Sequence, residues 1–252
     1  MKSVIHSKYL AKKNSLVKLI KCFDTSEEHI LKENRNTLKL FELDDITVNI
    51  KSFKIPNLVN RIVYQYFRKG KAQRSFEYAK KLIDLGIGTP QPIAYFKQDK
   101  GLLFGRSFYI SEQLNYDLTY RELIHDFNYP DYENIIRSFT QFTYQLHEKG
   151  IQFLDHSPGN TLIIKRENDY DFYLVDLNRM NFGTLDFETR IKNFARLTPH
   201  RSMVEIMSDE YAKCVDSSFE KVFELMWKET QNFQYKFHRK KRIKKKLKFW
   251  KK

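Results

Sequence analysis

Cysteine is nearly missing: Cys22 and Cys214 are the only two in 252 residues. They supply neither a disulfide framework nor a metal-ligand cluster, and they fit a reducing compartment. Long apolar runs are missing too, since no stretch approaches the roughly 20 residues that span a bilayer. The first residues lack the apolar core of a signal peptide, because Lys8, Lys12, Lys13, Lys18 and Lys21 interrupt it. The chain is therefore expected in the cytoplasm, free or peripheral to a membrane. No glycine precedes Gly70, which excludes a glycine-rich phosphate-binding loop from the first 69 residues. No internal repeat is found.

What is present argues for a folded chain. Hydrophobic residues make up 41 % and aromatics 15 %, too much for a disordered segment. The length allows one large domain or two lobes, and a chain of this size buries roughly 70–75 % of its unfolded surface. The formal charge of +14 is unevenly spread. Residues 239–252 hold ten Lys/Arg and no acid, so +14 less 10 leaves only +4 for the rest.

The chain opens with a basic segment, 1–23, that reads as a strand or short helix. His29–Lys32 and Thr37–Leu43 read as strands around a turn at Glu33–Asn36. Ile46–Phe53 is a stronger strand, with β-branched residues at alternate positions. Lys51 lies on the face opposite Ile50. Residues 57–69 and Ala72–Leu85 read as helices, the second burying Phe76, Ala79, Leu82 and Ile83. The Gly86–Pro92 segment stops it. Two more strands surround Gly101. From Leu114 the character turns helical, beginning with a helix after Pro130-Asp131 whose inner stripe is Tyr132, Ile135, Ile136, Phe139, Phe142 and Leu146. Residues 186–197 and 209–233 read as further helices. The fold class is α+β in two unequal lobes: an N-terminal antiparallel sheet with one main helix (1–113), and a helical C-terminal lobe with a catalytic hairpin (114–236). A basic amphipathic tail (237–252) follows.

Chemistry concentrates in His147–Met180. Gly150 is a helix stop. Asp155-His156-Ser157-Pro158-Gly159-Asn160 has no apolar residue and is expected as an exposed loop. Two β-prone runs follow, Thr161–Ile164 and Phe172–Val175, and Asp176 ends the second. A hairpin would carry Asp155, Asn160 and Asp176 to one end. An Asp can accept a hydroxyl proton, and an Asn oxygen with a second carboxylate suits Mg²⁺, a hard ion. The Asp-x4-Asn spacing with a later strand-ending Asp matches phosphoryl-transfer sites. The bland alternative is a turn Asp and Asn with Asp176 as a strand cap. His147 is read as structural, complementing its helix dipole. His156 either touches substrate or is a solvated loop residue.

Several segments together resemble the lipopolysaccharide kinase (Kdo/WaaP) family, within the eukaryotic-like protein-kinase fold. They are Val48-x-x-Lys51, Lys71–Phe96 (KAQRSFEYAKKLIDLGIGTPQPIAYF), Leu146–Gly150 (LHEKG), Asp155–Asn160 and Leu174–Arg179 (LVDLNR), spanning about residues 46–200. The GI-x-TP-x-PI wording at Gly86–Ile93 favours this family, whereas Asp155-x-x-Pro158-Gly159-Asn160 alone would fit aminoglycoside- and choline-type kinases equally. The resemblance implies that Lys51 holds the α/β-phosphates of ATP and that Glu77 orients Lys51. It makes Asp155 the proton acceptor, and Asn160 and Asp176 the Mg²⁺ ligands. It implies an ATP-dependent kinase acting on a sugar hydroxyl, Kdo first, of the lipopolysaccharide inner core.

Departures accompany the resemblance. With no glycine before Gly70, the turn at Glu33–Asn36 must cover nucleotide differently or bind it weakly. Phe153 and Leu154 stand where His and Arg would precede the catalytic Asp. Leu177 and Asn178 replace the Phe and Gly of Asp-Phe-Gly, and no Ala-Pro-Glu follows. The last two argue against a regulated protein kinase. The missing glycines leave a catalytically inactive, kinase-like adaptor binding membrane or nucleic acid as one alternative, and a kinase for another small molecule or a protein is the other. In the tail, Ile243, Leu247 and Trp250 recur at i, i+4, i+7 among lysines, the pattern of a helix on an anionic membrane surface at the cytoplasmic face. A solubilising disordered tail, or nucleic-acid binding through phosphate neutralisation, is the other reading, and the apolar stripe favours lipid over nucleic acid.

Overall fold

The computed structural model describes residues 1–26, 30–33 and 36–249, the side chains at 30–33, 100 and 247–249 apart. His29, the centre of the turn expected at Glu33–Asn36, and Trp250 lie outside the described residues. The chain divides into two compact units. One holds residues 1–115 with 174–178, and the other holds 116–173 with 179–252.

The first unit is built on strands β1 (Lys2–Ile5), β2 (Ile30–Glu33), β3 (Asn36–Leu43), β4 (Ile46–Phe53), β5 (Pro92–Lys100) and β6 (Leu103–Glu112), with helices α1 (Lys13–Cys22), α2 (Leu58–Tyr66) and α3 (Lys71–Asp84). The strands form one antiparallel sheet in the order β1-β5-β6-β4-β3-β2. β4 pairs with β3 and β6, so it is central and half-buried on both sides, which suits its β-branched residues. Its period-2 pattern sends Val48 and Ile50 into a core with Leu16, Ile20 and Phe23, while Lys51 points to the other face. That other face meets α3: Phe76 packs edge-on against Tyr95, ring centroids 5.6 Å apart. The sheet thus carries α1 on one face and α3, the main helix expected, on the other. Ala72, Phe76, Ala79 and Leu82 are the buried stripe of α3. Ile83 is one residue past that stripe and is exposed, not buried.

The second unit contains β7 (Leu118–Thr119), α4 (Tyr120–His125), α5 (Tyr132–Glu148), β8 (Ile151–Phe153), β9 (Thr161–Lys165), β10 (Tyr170–Leu174), β11 (Met180–Phe182), α6 (Phe187–Lys192), α7 (Arg201–Cys214) and α8 (Phe219–Phe249). The last residue of β10, Leu174, groups with the first unit. A capping box starts α4: the Thr119 hydroxyl accepts from Arg121 N–H, and Glu122 accepts from Thr119 N–H at 2.8 Å. α5 is the core helix, with Ile135, Ile136, Phe139 and Leu146 fully buried. It packs on α7, which packs on α8 through contacts such as Ser208 with Met226.

The expected helix 209–233 is two helices. α7 stops at Cys214, Asp216 takes the left-handed φ of 49°, and Ser217 N–H reaches back to the Ala212 carbonyl at 3.1 Å. Ser218 then caps α8 through Lys221 N–H. α8 runs unbroken from Phe219 into the basic segment as far as Phe249, so residues 237–249 continue a helix. Among the described residues, no helix is long and apolar enough to cross a membrane.

Candidate active site

In the first unit, Lys51 and Asp176 meet. Nζ of Lys51 lies 2.8 Å from Oδ1 of Asp176, and their side chains are 17 % and 30 % exposed, dry enough for the pair to matter and open enough to admit a ligand. Lys51 reaches this point because β4 sends it to the face opposite the apolar core. The Lys51 ammonium also lies 5.5 Å over the Phe53 ring. Asp176 is placed by its backbone. Its φ of 60° is a left-handed conformation unfavourable for a residue with a Cβ, so surrounding contacts must hold it. Two kinds of contact do. Asn178 Nδ2 donates to Asp176 Oδ1 at 2.6 Å. Two residues earlier, Leu174 is gripped from the segment after α3: Leu174 N–H donates to the Gly88 carbonyl at 2.9 Å, and the Thr89 hydroxyl donates to the Leu174 carbonyl at 2.8 Å. The Gly86–Pro92 wording, read from sequence as a helix stop, is also the clamp that sets Asp176.

Glu77 goes elsewhere. Its carboxylate takes Lys69 Nζ at 2.7 Å and Gln73 Nε2 at 3.0 Å. The Lys51–Glu77 pair that the resemblance implies is not formed. Lys69, two residues before α3, and Gln73, one turn back along it, occupy the carboxylate, while Asp176 takes the Lys51 ammonium. A cavity of about 190 Å³ in the same unit is lined by Ile46, Thr47, Glu112, Gln113 and Asn115, apart from this ion pair.

In the second unit, Asp155 and Asn160 meet. Asn160 closes a 3₁₀ turn at Pro158–Asn160 and donates from Nδ2 to the Asp155 backbone carbonyl at 2.8 Å. That bond fixes the amide so that Oδ1 remains as an oxygen donor. The Asp155 carboxylate is held by arginine. Oδ1 lies 2.7 Å from Arg196, and Arg179 stands at 3.9 Å from Oδ2. Arg196 also donates to the Leu154 carbonyl at 3.1 Å and stacks on Phe233 of α8 at 5.4 Å. A Cβ at Gly159 would stand 2.5 Å from Arg121 Nη2, a contact that the flexible arginine tip would have to move to relieve.

The loop is not the exposed segment expected. His156 is fully buried between Phe139 and Phe153, centroids 5.3 and 5.7 Å away, and neither ring nitrogen has a hydrogen-bond partner. It is neither solvated nor at a substrate surface. An imidazole face packs as an aromatic, and burial pushes its pKa down to about 3, so it is neutral. His147 is structural, but not as a charged helix cap. It is buried, and desolvation lowers its pKa to about 4. Asn193 donates from Nδ2 to the Phe153 carbonyl at 2.8 Å, so its Oδ1 must accept from His147 Nε2–H at 3.2 Å. Nδ1 of His147 then accepts the Tyr211 hydroxyl at 2.8 Å. This chain of bonds secures the strand end just before Asp155. Gly150 ends α5 with φ 67°, where a Cβ would meet the Gly183 carbonyl at 2.7 Å.

Among the described residues, no cluster of three or more His, Cys, Asp or Glu side chains could hold a metal. The acidic and amide groups present suit an ion that keeps water and phosphate ligands and takes only one or two from protein, which is the habit of Mg²⁺. Sequence reasoning missed Arg196, Thr89 and Asn178. Arg196 lies 41 positions after Asp155 and carries no local signal.

The lipopolysaccharide kinase (Kdo/WaaP) family model matches residues 34–219. No curated protein matches the sequence significantly. Among solved structures, WaaP in complex with acyl carrier protein superposes with a TM-score of 0.63 at 14 % identity, covering 93 % of this chain and 99 % of that one. A MAP kinase, LmaMPK10 from Leishmania major, gives a TM-score of 0.46 at 16 % identity over 79 % of this chain and 60 % of that one. The WaaP likeness shows the kinase-like α+β fold. With a family model matching well over half its length, the chain belongs to the lipopolysaccharide kinase (Kdo/WaaP) family.

Proposed function

We propose that this kinase transfers the γ-phosphoryl group of ATP to a sugar hydroxyl of the lipopolysaccharide inner core, Kdo first, at the cytoplasmic face of the membrane. The observation that carries the reading is the Lys51–Asp176 ion pair, 2.8 Å long, seated on a left-handed Asp that costs energy to maintain. In this reading the Lys51 ammonium binds the α/β-phosphates as a point charge. Asp176, in the first unit, would offer a carboxylate oxygen to Mg²⁺, and Asn160, in the second, an amide oxygen. Bound Mg-ATP supplies the phosphoryl group and neutralises charge that develops on its oxygens. Asp155 accepts the proton of the acceptor hydroxyl, and Arg196 keeps its carboxylate in one orientation. Most of the acceleration then comes from placement and fixed charge. The basic end of α8, with Ile243 exposed, gives a surface that anionic lipid would attract.

ATP turnover with Kdo-lipid A tests the reading. Asp155→Asn is expected to remove transfer and leave Mg-ATP binding in place; full transfer by that variant would end the base assignment. A second reading, a kinase-like adaptor without catalysis, is favoured by the glycine-free first 69 residues and by Glu77 engaging Lys69 instead of Lys51. Calorimetry with Mg-ATP separates the two, because the adaptor binds none.

A further inference from the structure

α2 is an amphipathic helix turned the wrong way for a soluble protein. Its apolar residues fall at helical spacing on one stripe: Leu58, Val59, Ile62 and Tyr66, with Ile55 just before and Phe67 just after. None is buried. Val59 is 71 % exposed, Phe67 81 % and Leu58 61 %. The polar side does the packing instead. Arg61 Nε donates to the Phe104 carbonyl at 2.8 Å, and Tyr64 leans on the Phe104 ring at 5.7 Å. Tyr66 donates to the Leu102 carbonyl at 3.0 Å, which brings Leu102, 79 % exposed, beside the stripe. Leucine, valine and isoleucine held out in water over a contiguous patch mark a surface that something apolar covers.

The charge around the patch says what. Residues 54–71 carry five Lys/Arg and no acidic residue. Lys69 is paired with Glu77, and Lys54, Arg68 and Lys71 stand exposed at the rim. Two copies of such a face would repel. A nucleic acid would gain from the cations but nothing from Leu58, Val59 and Ile62. An aliphatic stripe rimmed by cations, with a tyrosine and a phenylalanine at its end, is the composition of a helix that lies in the headgroup region of an anionic bilayer.

We propose that α2 and its flanks, residues 54–71, form a membrane-inserting element for anionic lipid, separate from the basic end of α8. It rests on the exposed face itself and not on the chemistry of the site. It fits a kinase whose acceptor is an anionic lipid, because the first unit would then meet the surface where that acceptor lies.

The test is vesicle flotation of the full chain on phosphatidylcholine with and without phosphatidylglycerol. Replacing the basic residues of 239–252 by Gln isolates α2. That protein is expected to keep measurable affinity for the anionic vesicles. Adding Val59→Asp and Phe67→Ser should lower the affinity on the order of tenfold or more, with an unchanged thermal midpoint because both side chains are exposed. The pair Val59→Leu and Phe67→Leu should bind as before. The proposal is overturned by residual binding that ignores Val59→Asp/Phe67→Ser, by loss of all binding once the tail is neutralised, or by capture of an acidic soluble protein with no binding to vesicles. Flotation needs no turnover, so an inactive kinase that floats leaves this inference standing, and an active one that does not float removes it alone.

Discussion

Two carboxylates are each held by a cation, and the two arrangements differ in kind. Asp176 faces a lysine, a flexible point charge whose stem can swing, and the rest of its support comes from backbone and from Asn178. Asp155 faces a guanidinium that is itself fixed, by the Leu154 carbonyl on one side and by Phe233 on the other. A lysine pair can be opened by an incoming phosphate. An arginine clamp built into the scaffold stays. The difference fits a ligand-binding acid in the first unit and a base of constant orientation in the second.

The most severe break is loss of either acid. Asp176→Asn and Asp155→Asn should each lower kcat by roughly 10³, within the range for loss of a general base or of a fixed electrostatic contact. They should part in binding. Asp176→Asn should weaken Mg-ATP in calorimetry, while Asp155→Asn should bind it like the parent. Equal nucleotide affinity in both would erase the distinction between the two acids.

Arg196→Ala comes next. It leaves the Asp155 Oδ1 and the Leu154 carbonyl without their donor, and kcat should fall about 10²-fold with the KM for ATP unchanged. Free guanidinium ion should restore part of the rate, and Arg196→Lys should keep an intermediate rate. A variant that merely loses stability would show neither recovery. Phe233→Leu, which removes only the stacking partner, should act in the same direction with a smaller effect.

Much of this layout was legible in the residues. β4 matches its expected bounds, Ile46–Phe53, because alternate β-branched residues leave little choice. α5 kept Ile135, Ile136, Phe139 and Leu146 inside, as its 3.6 spacing requires. The misreadings have physical causes. The break between α7 and α8 uses Asp216 in the left-handed region where a glycine would have announced a stop. His156 is polar by residue type, yet its ring packs as an aromatic between two phenylalanines. Arg196 and Thr89 act across long sequence separations, 41 residues to Asp155 and 85 to Leu174, and no local pattern encodes such contacts. The resemblance pairs Glu77 with Lys51, whereas its own helix supplies a partner in Gln73.

The two buried histidines sharpen the contrast within the second unit, where His147 is fully bonded and His156 has no partner. Burial lowers both pKa values from 6.5, to about 4 and about 3 respectively. A group whose folded pKa lies below its unfolded value binds fewer protons folded than unfolded in between. Its contribution is therefore fully present above pH 6.5 and is lost as pH falls towards the folded value. From pH 8 to pH 5 each should cost roughly 2 kcal/mol of unfolding free energy. Urea denaturation at the two pH values measures it. His156→Leu should remove about half of the acid loss attributable to the pair, and an unchanged pH slope would mean that His156 is hydrated.

The smallest expected effect is the most discriminating. If Glu77 oriented Lys51, Glu77→Gln would leave the lysine unsupported and cost a large share of kcat. Here Glu77 is 34 % exposed and bound to Lys69 and Gln73, an ion pair of the surface class worth about 0–1 kcal/mol. Glu77→Gln keeps an acceptor for both neighbours, so kcat should change less than about threefold and stability by no more than about 1 kcal/mol. Lys51→Met, on the sheet face that α3 covers, should instead abolish nucleotide-dependent turnover. A fall in the Glu77→Gln rate to the level of Lys51→Met would mean that Lys51 exchanges Asp176 for Glu77 when nucleotide binds. The pair seen at 2.8 Å would then be the resting arrangement and not the working one.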